Sequence, residues 1–205
     1  MTDQRLEETG RGSPADRVAR LVTEVFAPQY VGIALPPLVG ALAEGWPGLA
    51  WGLLAGLLCA GVPAAVIALG VRRGRLDSVH LVARDSRKGP ILVGLAAVLV
   101  GLLVLVSADA PVAVVASVAV LLGWALVLGS ITLAWKISFH TAVSAGVVVV
   151  LAFLLPAPPV LLAGSPLVVL IGWARVRVTH HTVAQVVAGA LAGGGVALAV
   201  FGGFR

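Results

Sequence analysis

The chain has 205 residues, of which 60% are hydrophobic and only 11% are charged, and its formal net charge at pH 7 is +5. Soluble domains are about one quarter charged, so this composition and a mean hydropathy of +1.07 exclude a soluble globular protein and predict an integral membrane protein. The single cysteine, Cys59, lies in an apolar run and excludes an internal disulfide.

Residues 1–25 form an N-terminal segment that is first polar and then amphipathic, unlike a cleavable signal peptide. The sequence Ser13-Pro14-Ala15-Asp16 predicts a helix start, with Ser as the cap, Pro in the first turn and Asp three residues after the cap. Apolar residues then recur at helical spacing, at Val18, Leu21, Val22, Val25 and Phe26. This stripe suits a helix that lies on the membrane surface, and it equally suits one that packs on its own bundle.

Residues 26–205 form a second domain, a series of apolar runs separated by short polar breaks. The runs cover residues 26–43, 48–71, 90–107, 110–135, 137–155, 159–174 and 182–204. Several approach the roughly 20 residues that a spanning helix needs, so we predict an all-α, polytopic transmembrane bundle of six or seven helices. Pro28, Pro36 and Pro37 indicate that the first run is kinked or re-entrant.

Two further features of the runs concern packing and depth in the membrane. Gly189 and Gly193 are four residues apart in the last run, a spacing that indicates close helix packing. The five tryptophans are expected to mark mostly the membrane interfaces.

Three polar breaks, residues 72–89, 136–140 and 175–181, hold all four histidines and most of the internal cations. Two apolar runs separate each break from the next, so the three breaks emerge on one side of the membrane. The opposite connections, near Glu44, Asp109 and Pro156, contain no Lys or Arg, and the positive-inside rule therefore places the breaks in the cytoplasm. Abundant Ala, Val, Leu and Gly with only two lysines favour a bacterial source. We thus expect a multi-pass protein of the bacterial inner (plasma) membrane.

Charged groups near a bilayer cost several kcal/mol unless they are paired, hydrated or used, so the clustered cations and histidines suggest an anion-handling site. The second break reads Lys136-Ile137-Ser138-Phe139-His140, and the third places Arg175, His181 and Gln185 at fixed spacing. These sequences resemble the second and third signature motifs of the type-2 phosphatidic acid phosphatase family, the membrane relatives of vanadium haloperoxidases. The resemblance covers about residues 72–195. Within that family, the chain resembles an actinobacterial membrane subgroup.

The resemblance implies metal-independent hydrolysis of a lipid phosphate or an isoprenoid (di)phosphate, with no cofactor. His181 would attack phosphorus to give a phosphohistidine, and His140 would protonate the leaving lipid oxygen. Gln185 lies four residues after His181 on one helix face, so its carbonyl could orient the imidazole. Arg175, Ser138 and the backbone N–H of Phe139 would bind the phosphate. His180 is expected to be a neighbour of the nucleophile.

The first family motif, a Lys followed further on by Arg-Pro, corresponds loosely to residues 77–90. The resemblance implies that this stretch supplies more phosphate-binding cations, namely Arg84, Arg87 and Lys88. Side chains that could support the site are Lys136, Asp77, His80 and Asp85. A lone histidine such as His80 is more often a hydrated helix end than a catalytic group.

Two positions depart from the family pattern. Gln185 stands where the family has an aspartate, so it can hold the imidazole but brings no full negative charge to an imidazolium. Asp77 or Asp85 could supply that charge from the first break. Phe139 replaces a glycine, which keeps the backbone N–H but adds a ring that narrows the pocket or contacts a hydrocarbon chain.

Two other functions therefore stay open beside the phosphatase. The same anion site could serve a membrane enzyme that processes prenyl diphosphates to terpenes, although such chemistry usually needs Mg²⁺ held by clustered carboxylates. Alternatively, the chain could be a degenerate relative that binds lipid phosphates without hydrolysing them. In each case the expected partners are the lipid bilayer and a lipid phosphate or isoprenoid diphosphate, and no nucleic acid.

Overall fold

The computed structural model describes residues 13–62, 65, 69–70, 72–73 and 88–204, and every regular element within these ranges is helical. The elements are α1 (Pro14–Val25), α2 (Pro28–Gly56), a π-helical turn (Leu57–Gly61), α3 (Lys88–Ser107), α4 (Val112–Ala134), α5 (Phe139–Leu154), α6 (Ala157–Arg177) and α7 (Val183–Gly203). The predicted all-α fold is confirmed for this part of the chain, and so is the predicted number of helices.

Four of the described helical stretches are long and apolar enough to cross a membrane: Pro28–Cys59, Val112–Ala134, Ala157–Arg177 and Val183–Gly203. At 1.5 Å per residue, the 23 residues of α4 span about 35 Å, which exceeds the roughly 30 Å hydrocarbon core of a bilayer. Length and composition thus indicate a membrane protein.

The chain of α2 reverses its direction at Gly45. This glycine has φ +62° and ψ −139°, a conformation that residues with a Cβ rarely adopt. Beyond it, Gly48 lies against the backbone of Gly40, and Gly52 lies against Pro36 and Pro37. The first apolar run is therefore one arm of a tight helical hairpin, so Pro28–Cys59 has the length and composition of a membrane span but is not one continuous helix. Its reversal comes from Gly45, whereas the prolines stay within regular helix.

Glycines on α7 allow this helix to pack closely on α5, the most extensive helix contact in the described structure. A Cβ at Gly189 would meet the carbonyl oxygen of Ser138, and one at Gly193 would overlap the backbone of Ala142. The packing role predicted for this pair is confirmed. The close approach also explains Trp124, which is only 4% exposed and donates its indole N–H to the Gly193 carbonyl at 3.0 Å. Trp124 is thus buried in the bundle, and the expectation that the tryptophans mostly mark the membrane interfaces stays a prediction.

Helix α1 begins where the sequence predicts, with a capping box between Ser13 and Asp16. It packs on the C-terminal part of α6 through small and polar residues, with Ala19 buried and Asp16 bound to Arg177 at 2.9 Å. The apolar residues Val18, Leu21 and Val25 are exposed. The helix thus packs on the bundle, but its apolar stripe faces outward.

Candidate active site

The second and third polar breaks meet at one end of the bundle. The N–H of Ser138 donates to the Gln185 carbonyl at 3.2 Å, and the Thr141 hydroxyl donates to the Val186 carbonyl at 2.9 Å. These bonds join the N-terminal ends of α5 and α7. Residues Leu42, Val112, Leu154 and Phe204 line a common cavity at the opposite end. The expectation that the two breaks share one end is confirmed.

The third break folds tightly around the end of α6. Thr179 has φ +55°, a left-handed conformation that is strained for a β-branched residue. With the chain turned in this way, the N–H groups of His180 and His181 both donate to the Arg175 carbonyl at 3.2 Å. The turn therefore holds both histidines beside Arg175. Nothing in the sequence marks Thr179 as a left-handed residue, because Gly or Asn usually fills that position.

His181 is oriented by the residues that cap α7. Thr182 and Gln185 form a capping box in which the Thr182 N–H donates to Gln185 Oε1 at 3.2 Å. His181 Nδ1 lies 3.1 Å from the same oxygen. A backbone N–H can only donate, so it fixes the oxygen of the amide at this position, and His181 must then donate its Nδ1–H. The lone pair of Nε2 is left available.

The environment of His181 favours the neutral ring. Partial burial lowers the pKa of His181, the hydrogen bond to Gln185 opposes this effect, and the positive charges of Arg175 and Lys136 add to the lowering. The net shift is below the ordinary value of about 6.5, so the ring is neutral at pH 7. A neutral imidazole with a free Nε2 can act as a nucleophile.

Arg175 is a buried cation that nothing in the described part of the chain neutralises. It is 8% exposed, and its Nε is buried without a hydrogen-bond partner. The one ion pair within the described ranges joins Arg177 to Asp16. A buried charge without a partner is costly, and a bound anion would offset that cost. Arg175 is therefore the strongest anion-binding candidate among the described residues.

His140 lies in the same cluster, within electrostatic reach of Arg175, His181 and His180. Its Nε2 is 3.2 Å from the carbonyl oxygen of Thr23, near the end of α1. Since a carbonyl only accepts, Nε2 carries a proton, and Nδ1 is the nitrogen left for other partners. Sequence analysis missed Thr23, which is 117 residues away along the chain and belongs to no motif.

The other predicted site residues differ in burial and position, and five of them lie outside the described residues. Ser138 is fully buried and caps α5, its hydroxyl accepting from the Thr141 N–H at 3.5 Å. Phe139 packs against the core, and Lys136 is exposed with its charge acting on His180 and His181. Lys88 is the first residue of α3. Asp77, His80, Arg84, Asp85 and Arg87 lie outside the described residues. Phosphate binding by any of these groups stays a prediction.

A polar cavity of about 480 Å³ lies next to the cluster, between α1 and the third break. Its charged lining residues are Asp16, Glu24, Arg20 and Arg177, and it reaches His180 but not His181. The mixture of both signs makes it a poor pocket for an anion. The cluster of His140, Arg175 and His181 remains the better candidate.

Comparison of the chain with protein-family models, with curated proteins and with solved structures finds no match. The resemblance to a phosphatase family, which the second and third motifs carry, therefore stays a prediction. Within the described ranges, no three His, Cys, Asp or Glu side chains converge in a metal-binding group. Metal-independent chemistry stays a prediction.

Proposed function

We propose that this protein is a membrane phosphatase of the type-2 phosphatidic acid phosphatase kind, acting on a lipid phosphate or an isoprenoid (di)phosphate. One observation carries the proposal: the buried Arg175, which no described residue neutralises, lies beside His181, a neutral imidazole whose Nδ1–H is held by Gln185. Phosphoryl transfer needs positive charge around the phosphate oxygens and an oriented nucleophile, and these residues supply both.

In the proposed reaction, His181 Nε2 attacks phosphorus while the bond from phosphorus to the lipid oxygen breaks. Arg175 offsets the charge on the phosphoryl oxygens. With the anionic headgroup bound, His140 would carry a second proton, on Nδ1. This imidazolium gives its Nδ1 proton to the leaving oxygen, while its Nε2–H stays on the Thr23 carbonyl. A water then attacks the phosphohistidine, His140 takes up its proton, and cleavage of the P–N bond releases phosphate.

The proposed location is a bacterial inner membrane, with the site at its cytoplasmic face. Three apolar helices of sufficient length, together with the helical hairpin of α2, support a multi-pass arrangement. The meeting of the second and third breaks at one end, together with the absence of Lys and Arg near Glu44, Asp109 and Pro156, supports the cytoplasmic side.

A lipid-phosphate binding protein without hydrolytic activity is the second candidate. Two observations favour it: Gln185 supplies no negative charge to His181, and the Nε2 of His140 is already engaged by Thr23. Such a protein would use Arg175 to hold the headgroup and would release no phosphate.

Phosphate release from a panel of lipids tests the proposal. Detergent-purified protein would be given prenyl diphosphates, a polyprenyl phosphate, phosphatidic acid and phosphatidylglycerol phosphate, with EDTA present throughout. We expect release by the wild type, its loss in His181→Ala, and its persistence in His180→Ala, which removes the neighbouring ring. Binding without release would favour the second candidate. A product with a new carbon skeleton would indicate a terpene enzyme.

A further inference from the structure

An apolar groove of about 400 Å³ lies between the first arm of α2, α5 and α6. Three helices contribute to its walls, each with residues spaced about one turn apart. The main lining residues are Val31, Leu35, Leu38, Ser144, Val148, Leu151, Ala163 and Leu167. Apart from Ser144, these side chains offer only hydrocarbon to an occupant.

The groove begins one turn from the candidate catalytic cluster. Ser144 and Leu151 follow His140 on α5 by four and eleven residues, so all three lie on one face of this helix. The groove's extent along α5, from Ser144 to Leu151, is about 10 Å at 1.5 Å per residue. A molecule with its phosphate beside His140 would therefore have the groove one helical turn further along α5.

The groove is closed at its base and open at its side. Leu35 is 1% exposed, whereas Ala34 and Ala163 at the rims are exposed. If α2 and α6 cross the bilayer, this opening faces the lipid. The Ser144 hydroxyl is buried in the wall nearest to His140 and makes no hydrogen bond to any described residue. Ser144 is the one residue with a polar side chain among the described residues that line this groove.

We infer that this groove holds the first part of the hydrocarbon chain of a lipid phosphate whose headgroup lies at His140, Arg175 and His181. The inference rests on the proposed function for the headgroup only. Ser144 would contact an oxygen near the phosphate, and Leu35, Val148 and Leu151 would contact the chain. A second apolar groove of about 360 Å³, outside α6 and α7, is the competing position. Its lining holds the indole of Trp173 and the hydroxyl of Thr141, which already donates to backbone carbonyls there.

Photolabelling in lipid nanodiscs tests the inference without requiring turnover. The probe is a prenyl monophosphate with a diazirine in its chain, and the labelled peptides are identified by mass spectrometry. The test variant, Ala163→Phe, fills the groove from its rim, and the control, Ala190→Phe, fills the competing groove. We expect labelling of α5 and α6 beside Ala163, a decrease of at least tenfold in Ala163→Phe, and wild-type labelling in Ala190→Phe.

A chemical variant avoids the risk that Ala163→Phe does not fold. Ala163→Cys, in a Cys59→Ala background, would be modified after folding with alkyl methanethiosulfonates of increasing length, and longer alkyl groups should block labelling progressively. Labelling that persists after both changes, or that appears around Ala190, would overturn the inference. Labelling in the groove without phosphate release would contradict only the proposed function, whereas release with labelling elsewhere would contradict only the groove.

Discussion

At the scale of single residues, Gln185 connects the folding of α7 to the chemistry proposed for His181. Its side-chain oxygen accepts from both the Thr182 N–H and the His181 ring, and its own N–H is bonded to the Thr182 hydroxyl. The helix cap and the tautomer of the histidine are thus fixed by the same amide. This arrangement explains how a neutral side chain can stand where an aspartate is usual in the family that the sequence resembles.

Replacing Gln185 by Glu should shift the pH dependence of phosphate release. The glutamate keeps an oxygen for both donors, but its negative charge stabilises the imidazolium and raises the pKa of His181. The neutral ring is the nucleophile, so activity is lost as the pH falls through this pKa. In the wild type the lowered pKa puts that loss below about pH 6.5. The acid limb of kcat/KM should move to higher pH in Gln185→Glu.

Gln185→Ala is the comparison for this shift, because it removes the acceptor without adding charge. We expect kcat to fall roughly 10- to 100-fold, as for other losses of an orienting partner, with no upward movement of the acid limb. Identical acid limbs in wild type and Gln185→Glu would show that His181 does not control the profile.

Arg175→Met should separate stability from ligand binding. The substitution removes a buried charge that no described carboxylate pairs with, so the ligand-free protein should melt at a higher temperature than the wild type. Inorganic phosphate at 100 times its Kd should stabilise the wild type by about 2.7 kcal/mol and should leave Arg175→Met unchanged. The measurement is thermal unfolding in detergent, with and without phosphate.

Arg177→Met is the matched control, since Arg177 also lies at the end of α6 but is exposed and bound to Asp16. It should retain the stabilisation by phosphate. Equal stabilisation of Arg175→Met and wild type would place the anion elsewhere.

At the scale of helices, the sequence predicts where each helix begins and ends better than it predicts which helices pack on each other. The last five apolar runs give their helices to within three residues because each polar break interrupts a long hydrophobic stretch. The reversal at Gly45 was predictable only as a break or a bend, since the contact between Gly40 and Gly48 depends on both arms. Burial of Trp124 was not predictable, because its partner is a carbonyl on another helix.

Two glycines of α7 provide a matched test of the packing on α5. Gly193→Ala places a methyl group against the backbone of Ala142 and should cost about 1–3 kcal/mol of stability. Gly195→Ala meets no atom within 4 Å and removes a poor helix former, so it should be neutral or stabilise by up to about 1 kcal/mol. Thermal unfolding of both variants measures the difference. Similar melting temperatures would contradict the close contact of α5 and α7.

At the scale of the whole molecule, the described connections between helices lie at two opposite ends of the bundle. His140 and His181 lie at one end, and Leu42, Val112 and Leu154 gather at the other. The sequence predicts this division for the second and third breaks, because an even number of runs separates them. It could not predict which residues of the cluster would contact one another, and Thr23 entered it from a segment with no chemical motif.

Thiol labelling of single-cysteine variants tests the two ends in a cell. In a Cys59→Ala background, Lys136→Cys and Arg177→Cys should react with an impermeant reagent only after the membrane is opened, because we propose that their end is cytoplasmic. Trp46→Cys and Asp109→Cys should react in intact cells. Reaction of Lys136→Cys and Arg177→Cys from different sides would contradict the proposed topology.

The orientation of α1 makes the site sensitive to the lipid or detergent that surrounds the protein. Its inner face carries the Thr23 carbonyl that binds His140, and its outer face carries Val18, Leu21 and Val25. Helix α1 therefore covers the site. Its inner face contacts the protein, and its outer face contacts whatever surrounds the molecule. If this end of the bundle lies at a bilayer surface, lipid covers these exposed side chains, lowers their free energy and keeps α1 in contact with His140. The lipid around α1 would then affect the position of the Thr23 carbonyl, and so the site, as directly as the residues beneath the helix do.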